Sequence, residues 1–320
     1  MIFDKKKLII LLSLLYSIFL VFYFPVDASI VDRLNYLIYT DNSINLIGRY
    51  YNQGILSFLF NEPLWLILNV ALSSMLSSEN VIRVIIFFSS FSICYYCLIN
   101  NKKEWLFVFM ILFLPQIIKN NIIHLRQGLA ISIFVIGFYS KNRSIRNVLI
   151  SISPFIHVSF FIVITIYLLS VISNKLKYSS GIKTIVTVSV GIIFSLSISM
   201  ISIYLGARQA DEYSFSTINV SGAGFLFWLV IFVLLVFQGK NYFKRYTFEI
   251  LTICFYLSSY FFTVITARIF ENAMCLVLIA CCHLTSYRKF IFIFIFGFYF
   301  IANYIIRINM EVPYLGWGVK

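Results

Sequence analysis

The chain has 320 residues, of which 61% are hydrophobic and only 12% charged, with a mean hydropathy of +0.94. Soluble domains carry about 25% charged residues, so such a chain could not cover its surface with polar groups in water. Its 25 Lys and Arg against 12 Asp and Glu cluster between apolar runs, as short cytoplasmic loops do, which argues against a nucleic-acid face.

Residues Met1 to Lys7 and the apolar stretch after them have the layout of a signal peptide. No small-x-small cleavage site follows and many spans do, so the stretch reads as a retained first helix. Eleven apolar runs follow in order, at about 8–25, 63–77, 81–99, 105–118, 127–140, 147–172, 182–205, 223–238, 247–265, 270–285 and 289–306. Unpaired backbone is too costly in lipid for other open arrangements. The expected fold is all-α: a polytopic membrane bundle of about 10–12 transmembrane helices, with 1–320 as a single integral membrane domain and polar extracytoplasmic loops. The basic segments near Lys102, Lys141, Lys175, Lys240 and Arg288 are expected on the cytoplasmic side. That assignment requires 147–172, broken at Pro154, to be a re-entrant hairpin, or one basic loop to be misplaced. Two connections, about 27–62 and 206–222, are too long for simple turns, and long polar loops are commonly functional or disordered. The first holds Asp32, Arg33, Arg49 and the tyrosines Tyr36, Tyr39, Tyr50 and Tyr51, suited to an interfacial belt or to sugar stacking; the second holds Arg208, Asp211 and Glu212.

All six cysteines lie in apolar runs. Cys94 and Cys97 have C-x-x-C spacing, and Cys281-Cys282-His283 is metal-like, but zinc needs about four converging ligands. Buried thiols are expected, with no disulfide, no metal and no cofactor.

The segment from Lys119 to Ala130 places a polar cluster at the mouth of an apolar helix. Arg126 and Gln127 begin that helix, where free N–H groups and the dipole favour an anion. An arginine adds a planar fork suited to phosphate, although it could also simply snorkel to the interface. His157 lies three residues after Pro154 in an apolar stretch, and ionisable residues there are functional candidates by default. Glu62 precedes Pro63, an arrangement that also fits a helix cap. Arg268 and Glu271 could pair on one helical face.

The run Asn121-Ile-Ile-His124-Leu-Arg126-Gln127-Gly-Leu-Ala130 resembles the Arg-Gln signature of the EpsG family, the Wzy-like polysaccharide polymerases. Ile156-His157-Val158-Ser159 is similar to that family's His-x-Ser element, and Asn61-Glu62-Pro63-Leu64-Trp65 to its Glu-Pro-x-aromatic element. The resemblance covers roughly residues 25–170, and the Arg126-x10-Gly137 spacing echoes O-antigen polymerases. It implies a glycosyltransferase of the bacterial cytoplasmic membrane that joins undecaprenyl-pyrophosphate-linked oligosaccharides into O-antigen, capsule or exopolysaccharide. Flippase and chain-length regulator proteins are candidate partners. Arg126, His157 and Glu62 would then be catalytic. Gln127, Asn121, His124, Asp32, Arg268 and Arg49 would bind substrate. Two alternatives share much of this chemistry: a non-enzymatic flippase of the lipid-linked unit, and another lipid-linked glycosyltransferase such as an O-antigen ligase.

Overall fold

A computed structural model of the chain describes residues 4–204, 222–263 and 265–319. The expected loop 206–222, with Arg208, Asp211 and Glu212, lies outside the described residues apart from Gly222. Every regular element described is helical, with one isolated antiparallel bridge between Ile30 and Gly318. Clustering of contacts divides the chain into two compact units, Met1–Val158 with Gly297–Lys320, and Ser159–Phe296.

In the first unit, α1 (Lys5–Tyr23) is capped by the Asp4 carboxylate on the Lys6 amide. The stretch read as a long polar loop, 27–62, is helical over most of its length, as α2 (Arg33–Asn52) and the short α3 (Ile55–Phe60). The reason is an inverted amphipathic pattern. Arg33, Tyr36, Thr40 and Ser43 recur at helical spacing and are buried, while Leu34, Ile38 and Ile44 face outward. The helices α4 (Pro63–Ser73) and α5 (Ser78–Asn100) follow.

The next run is not one straight helix. It divides into α6 (Trp105–Leu112) and α7 (Pro115–Ile122), bent by 61°. Pro115 has no N–H to donate and crowds the preceding turn, so Leu114 is extended and the helix restarts at the proline. After α8 (Leu125–Tyr139), α9 (Arg143–Ile152) folds back along it. Gly137 permits that approach: a Cβ there would sit 3.0 Å from Leu149 Cβ and 3.2 Å from the Ile150 amide. A 3-10 turn at Ser153–Phe155, carrying Pro154, then interrupts the stretch 147–172. Ten residues are too few to cross a bilayer core, since a crossing needs roughly 20. The first part of that stretch therefore returns along α8.

The second unit contains α10 (Phe160–Lys175), α11 (Ser180–Tyr204), α12 (Ala223–Val236), α13 (Lys240–Arg245), α14 (Thr247–Ser259) and α15 (Ile265–Cys282). The last long helix, α16 (Ser286–Ile308), runs from the second unit into the first. Within the first unit, Gln116 donates to Tyr299 and Asn303 of α16, and the Tyr304 hydroxyl donates to the Phe113 carbonyl.

Five helices (α1, α5, α11 up to Ile198, α15 and α16) are long and apolar enough to cross a membrane, and the bent pair α6–α7 makes a sixth if counted as one span. Five shorter apolar helices, α4, α8, α10, α12 and α14, account for the remaining apolar runs, with α9 and α10 sharing the run 147–172. Outward-facing Phe290, Phe294, Phe298, Ile301 and Ile305 on α16 form the kind of continuous apolar face that a membrane solvates. All six cysteines are buried, and none is in a disulfide among the described residues.

Candidate functional site

The site is assembled where three helix ends of the first unit meet. Glu62 stands at the N-cap of α4 in left-handed backbone, φ +61°. That conformation is costly for a non-glycine residue, about 1–3 kcal/mol. Its carboxylate makes no capping hydrogen bond. One oxygen instead accepts from Nη1 of Arg126 and the other meets Nδ1 of His157 at 2.6 Å. The Val158 amide donates to the same oxygen at 3.4 Å. The capping reading of Glu62 is thereby set aside.

Arg126 is the second residue of α8 and does not snorkel: its side chain is 13% exposed, and those of Glu62 and His157 are 7% and 14%. The guanidinium carbon lies 5.4 Å from the Tyr39 ring centre and 6.0 Å from that of Tyr36, within cation–π range. Trp65 closes the aromatic group edge-on, 5.7 Å from Tyr36 and 6.5 Å from Tyr39. Tyr36 and Tyr39 are buried and belong to this cluster, whereas Tyr51 is exposed. Arg126 Nε and Trp65 Nε1 are buried donors without a hydrogen-bond partner among the described residues.

The approach of α7 and α8 fixes the arginine. Gly128 lies against the C-terminal half of α7, where an added Cβ would overlap the Asn120 carbonyl oxygen and come within 3.2 Å of Asn121 Cα. Gly128→Ala is therefore expected to destabilise the chain by about 1–3 kcal/mol through forced backbone displacement, and to shift Arg126. Gly48→Ala in α2, where a Cβ meets nothing within 4 Å, should be neutral or slightly stabilising. Thermal midpoints of the two purified variants check the contrast.

The other expected residues separate into groups. Asn121 is buried and donates to the Ile117 carbonyl at 3.1 Å, with its Oδ1 unpartnered among the described residues. Gln127 is buried at the third position of α8. His124, the N-cap of α8, has Nδ1 3.8 Å from the Asp32 carboxylate. Arg49 is exposed in the last turn of α2. Arg268 lies in α15 of the second unit, exposed. It is therefore not among the residues that the first unit gathers.

Arg33, placed by the sequence in a long polar connection with no role of its own, is a further residue of this region. The residue is 1% exposed, and its Nη2 donates to the Ile122 carbonyl at 3.0 Å. Ile122 ends α7, where a cation meets the negative end of the helix dipole and an orphan carbonyl. Together with the Asp32–His124 contact, Arg33 fastens the start of α2 to the connection just before Arg126. No sequence signal pointed to it except the polar stripe of α2.

Arg126 and His157 both meet the Glu62 carboxylate, so its charge is paired within the site.

No family model, curated protein or solved structure matches the chain.

Proposed function

We propose that the chain is a polysaccharide polymerase. In this reading it spans the bacterial cytoplasmic membrane through its eleven apolar elements. At the outer face it joins oligosaccharide units carried on undecaprenyl pyrophosphate. The observation that carries the reading is the hydrogen-bonded series Arg126–Glu62–His157. Three short motifs, scattered over 95 residues from Glu62 to His157, meet at one carboxylate.

The chemistry fits a glycosyl transfer. The oxygen of an acceptor sugar hydroxyl attacks the anomeric carbon of the donor sugar. The bond from that carbon to the pyrophosphate oxygen breaks, and the hydroxyl proton passes to His157. Glu62 on Nδ1 fixes the ring with Nε2 as the basic nitrogen, the arrangement a general base needs. Arg126 offers cationic donors to the leaving pyrophosphate oxygens. Tyr36, Tyr39 and Trp65 supply flat apolar faces beside that charge, suited to sugar rings.

The depth of the site suits a lipid-linked substrate. The Asn101 amide donates to the Tyr139 hydroxyl at 3.3 Å, joining the C-terminal ends of α5 and α8. With 23 residues in α5 and 15 in α8, Arg126 then lies roughly 12 Å short of the level of the start of α5, which in this reading is inside the apolar layer.

Deletion tests the reading through the lipid-linked products that accumulate. Single repeat units at the outer face are expected. Full-length lipid-linked chains would instead identify a ligase, and units held at the inner face a flippase.

A further inference from the structure

The second unit contains a buried cation that the proposed reaction does not use. Lys183, in the first turn of α11, is 6% exposed. Its ammonium donates to Asn174 Oδ1 and lies 5.9 Å from the Phe243 ring centre. Thr247 donates to the same Asn174 oxygen at 3.2 Å, and Asn174 donates to the Lys244 carbonyl at 3.5 Å. No carboxylate is within ion-pair distance of Lys183 among the described residues. An ammonium has three donors, and a buried charge without a counter-ion is costly. The ammonium's further donors and its charge suit an anion.

What surrounds Lys183 indicates which anion. It lines a groove with Leu169, Ile172, Tyr178, Val186 and Leu251. Ile172, Tyr178 and Val186 are 50%, 45% and 40% exposed, so the groove opens outward along an apolar wall. The basic end of the unit adds exposed Lys175, Lys177, Lys244 and Arg245. No Asp or Glu occurs in the sequence between Glu104 and Asp211, or between Glu212 and Glu249. A cationic mouth above an apolar trough has the charge and polarity complementary to an anionic headgroup with an acyl chain.

We propose that this groove holds an anionic glycerophospholipid of the bilayer, with its phosphate at Lys183 and Lys244 and one acyl chain along Ile172, Tyr178 and Val186. The site shares no residue with the Arg126 centre and does not depend on the polymerase reading. The test uses the full chain, purified in a zwitterionic detergent. Phosphatidylglycerol, phosphatidylcholine or inorganic phosphate is added, and thermal midpoint and lipid retention by native mass spectrometry are read. Phosphatidylglycerol should raise the midpoint and be retained, while the other two should not. Lys183→Met and Lys244→Gln should each weaken retention about tenfold or more, whereas Lys175→Gln with Lys177→Gln should weaken it less. Lys244 is exposed, so Lys244→Gln decides the matter even if Lys183→Met fails to accumulate. Equal stabilisation by phosphatidylcholine would overturn the proposal, as would a full effect from inorganic phosphate. Retention lost equally in the Lys175/Lys177 pair would also overturn it, by reducing the effect to general surface charge.

Discussion

Arg126→Ala is expected to abolish chain extension and also to lower the amount of folded protein, and the two losses have different causes. Arg126 is ion-paired to Glu62 in a site where both side chains are nearly buried. Removing one partner of a buried pair leaves the other charge uncompensated, at a cost of about 3–5 kcal/mol. From sequence, an arginine at a helix mouth would contribute little to packing, and its loss would leave accumulation intact; the ion pair changes that expectation. Arg126→Met with Glu62→Gln removes both charges and keeps volume, so it should recover much of the lost stability. It should not recover extension, because the donors facing the leaving pyrophosphate are gone, and one such contact is worth about a hundredfold in rate. Arg126→Lys keeps the charge but loses the planar fork, so it should leave a small residual activity. The measurement is polymer length distribution at matched protein level, beside thermal midpoints of the same variants. Wild-type chain lengths in the double variant would remove Arg126 from the reaction and leave it a purely structural ion-pair partner.

That revision shows where the sequence was readable and where it was not. Every apolar run is helical, in one piece or two, because apolar side chains offer the backbone no partners and a helix satisfies its hydrogen bonds within the segment. The kink at Pro115 and the break at Pro154 follow from a missing donor. The helix α2 escaped notice for the opposite reason. Its apolar residues Leu34, Ile38 and Ile44 face outward and its polar ones inward, so a search for an apolar stripe covering a soluble core finds nothing. Arg33 was lost with it, since a charged residue in an apparent loop reads as solvated until the helix that buries it is seen.

At the site, residue types were legible and their geometry was not. A residue before proline is ordinarily extended, and extended backbone at Glu62 would aim the carboxylate elsewhere. Its left-handed conformation is what turns both oxygens toward Arg126 and His157. Aromatic burial was equally hidden. Tyr36 and Tyr39 lie three apart on a face of α2 that reaches Trp65 only because α2 and α4 pack side by side. Arg268, chosen on residue type near a late span, lies in α15 of the second unit.

His157→Gln should remove chain extension while leaving the fold and the Arg126–Glu62 pair in place. The glutamine amide can still donate to the Glu62 oxygen that His157 engages at 2.6 Å, so the carboxylate keeps two partners. What is lost is a nitrogen able to take the acceptor's proton, and such a group typically contributes on the order of 10²–10⁴ in rate. Thermal midpoint is therefore expected close to wild type, with single lipid-linked units accumulating in the membrane. A structural role for the imidazole would give the reverse pattern: a lowered midpoint with extension reduced only in proportion to folded protein. If His157→Gln extends chains at the wild-type rate, the base must be sought elsewhere, and the Glu62–His157 contact becomes a brace that holds the loop after Pro154 against the start of α4.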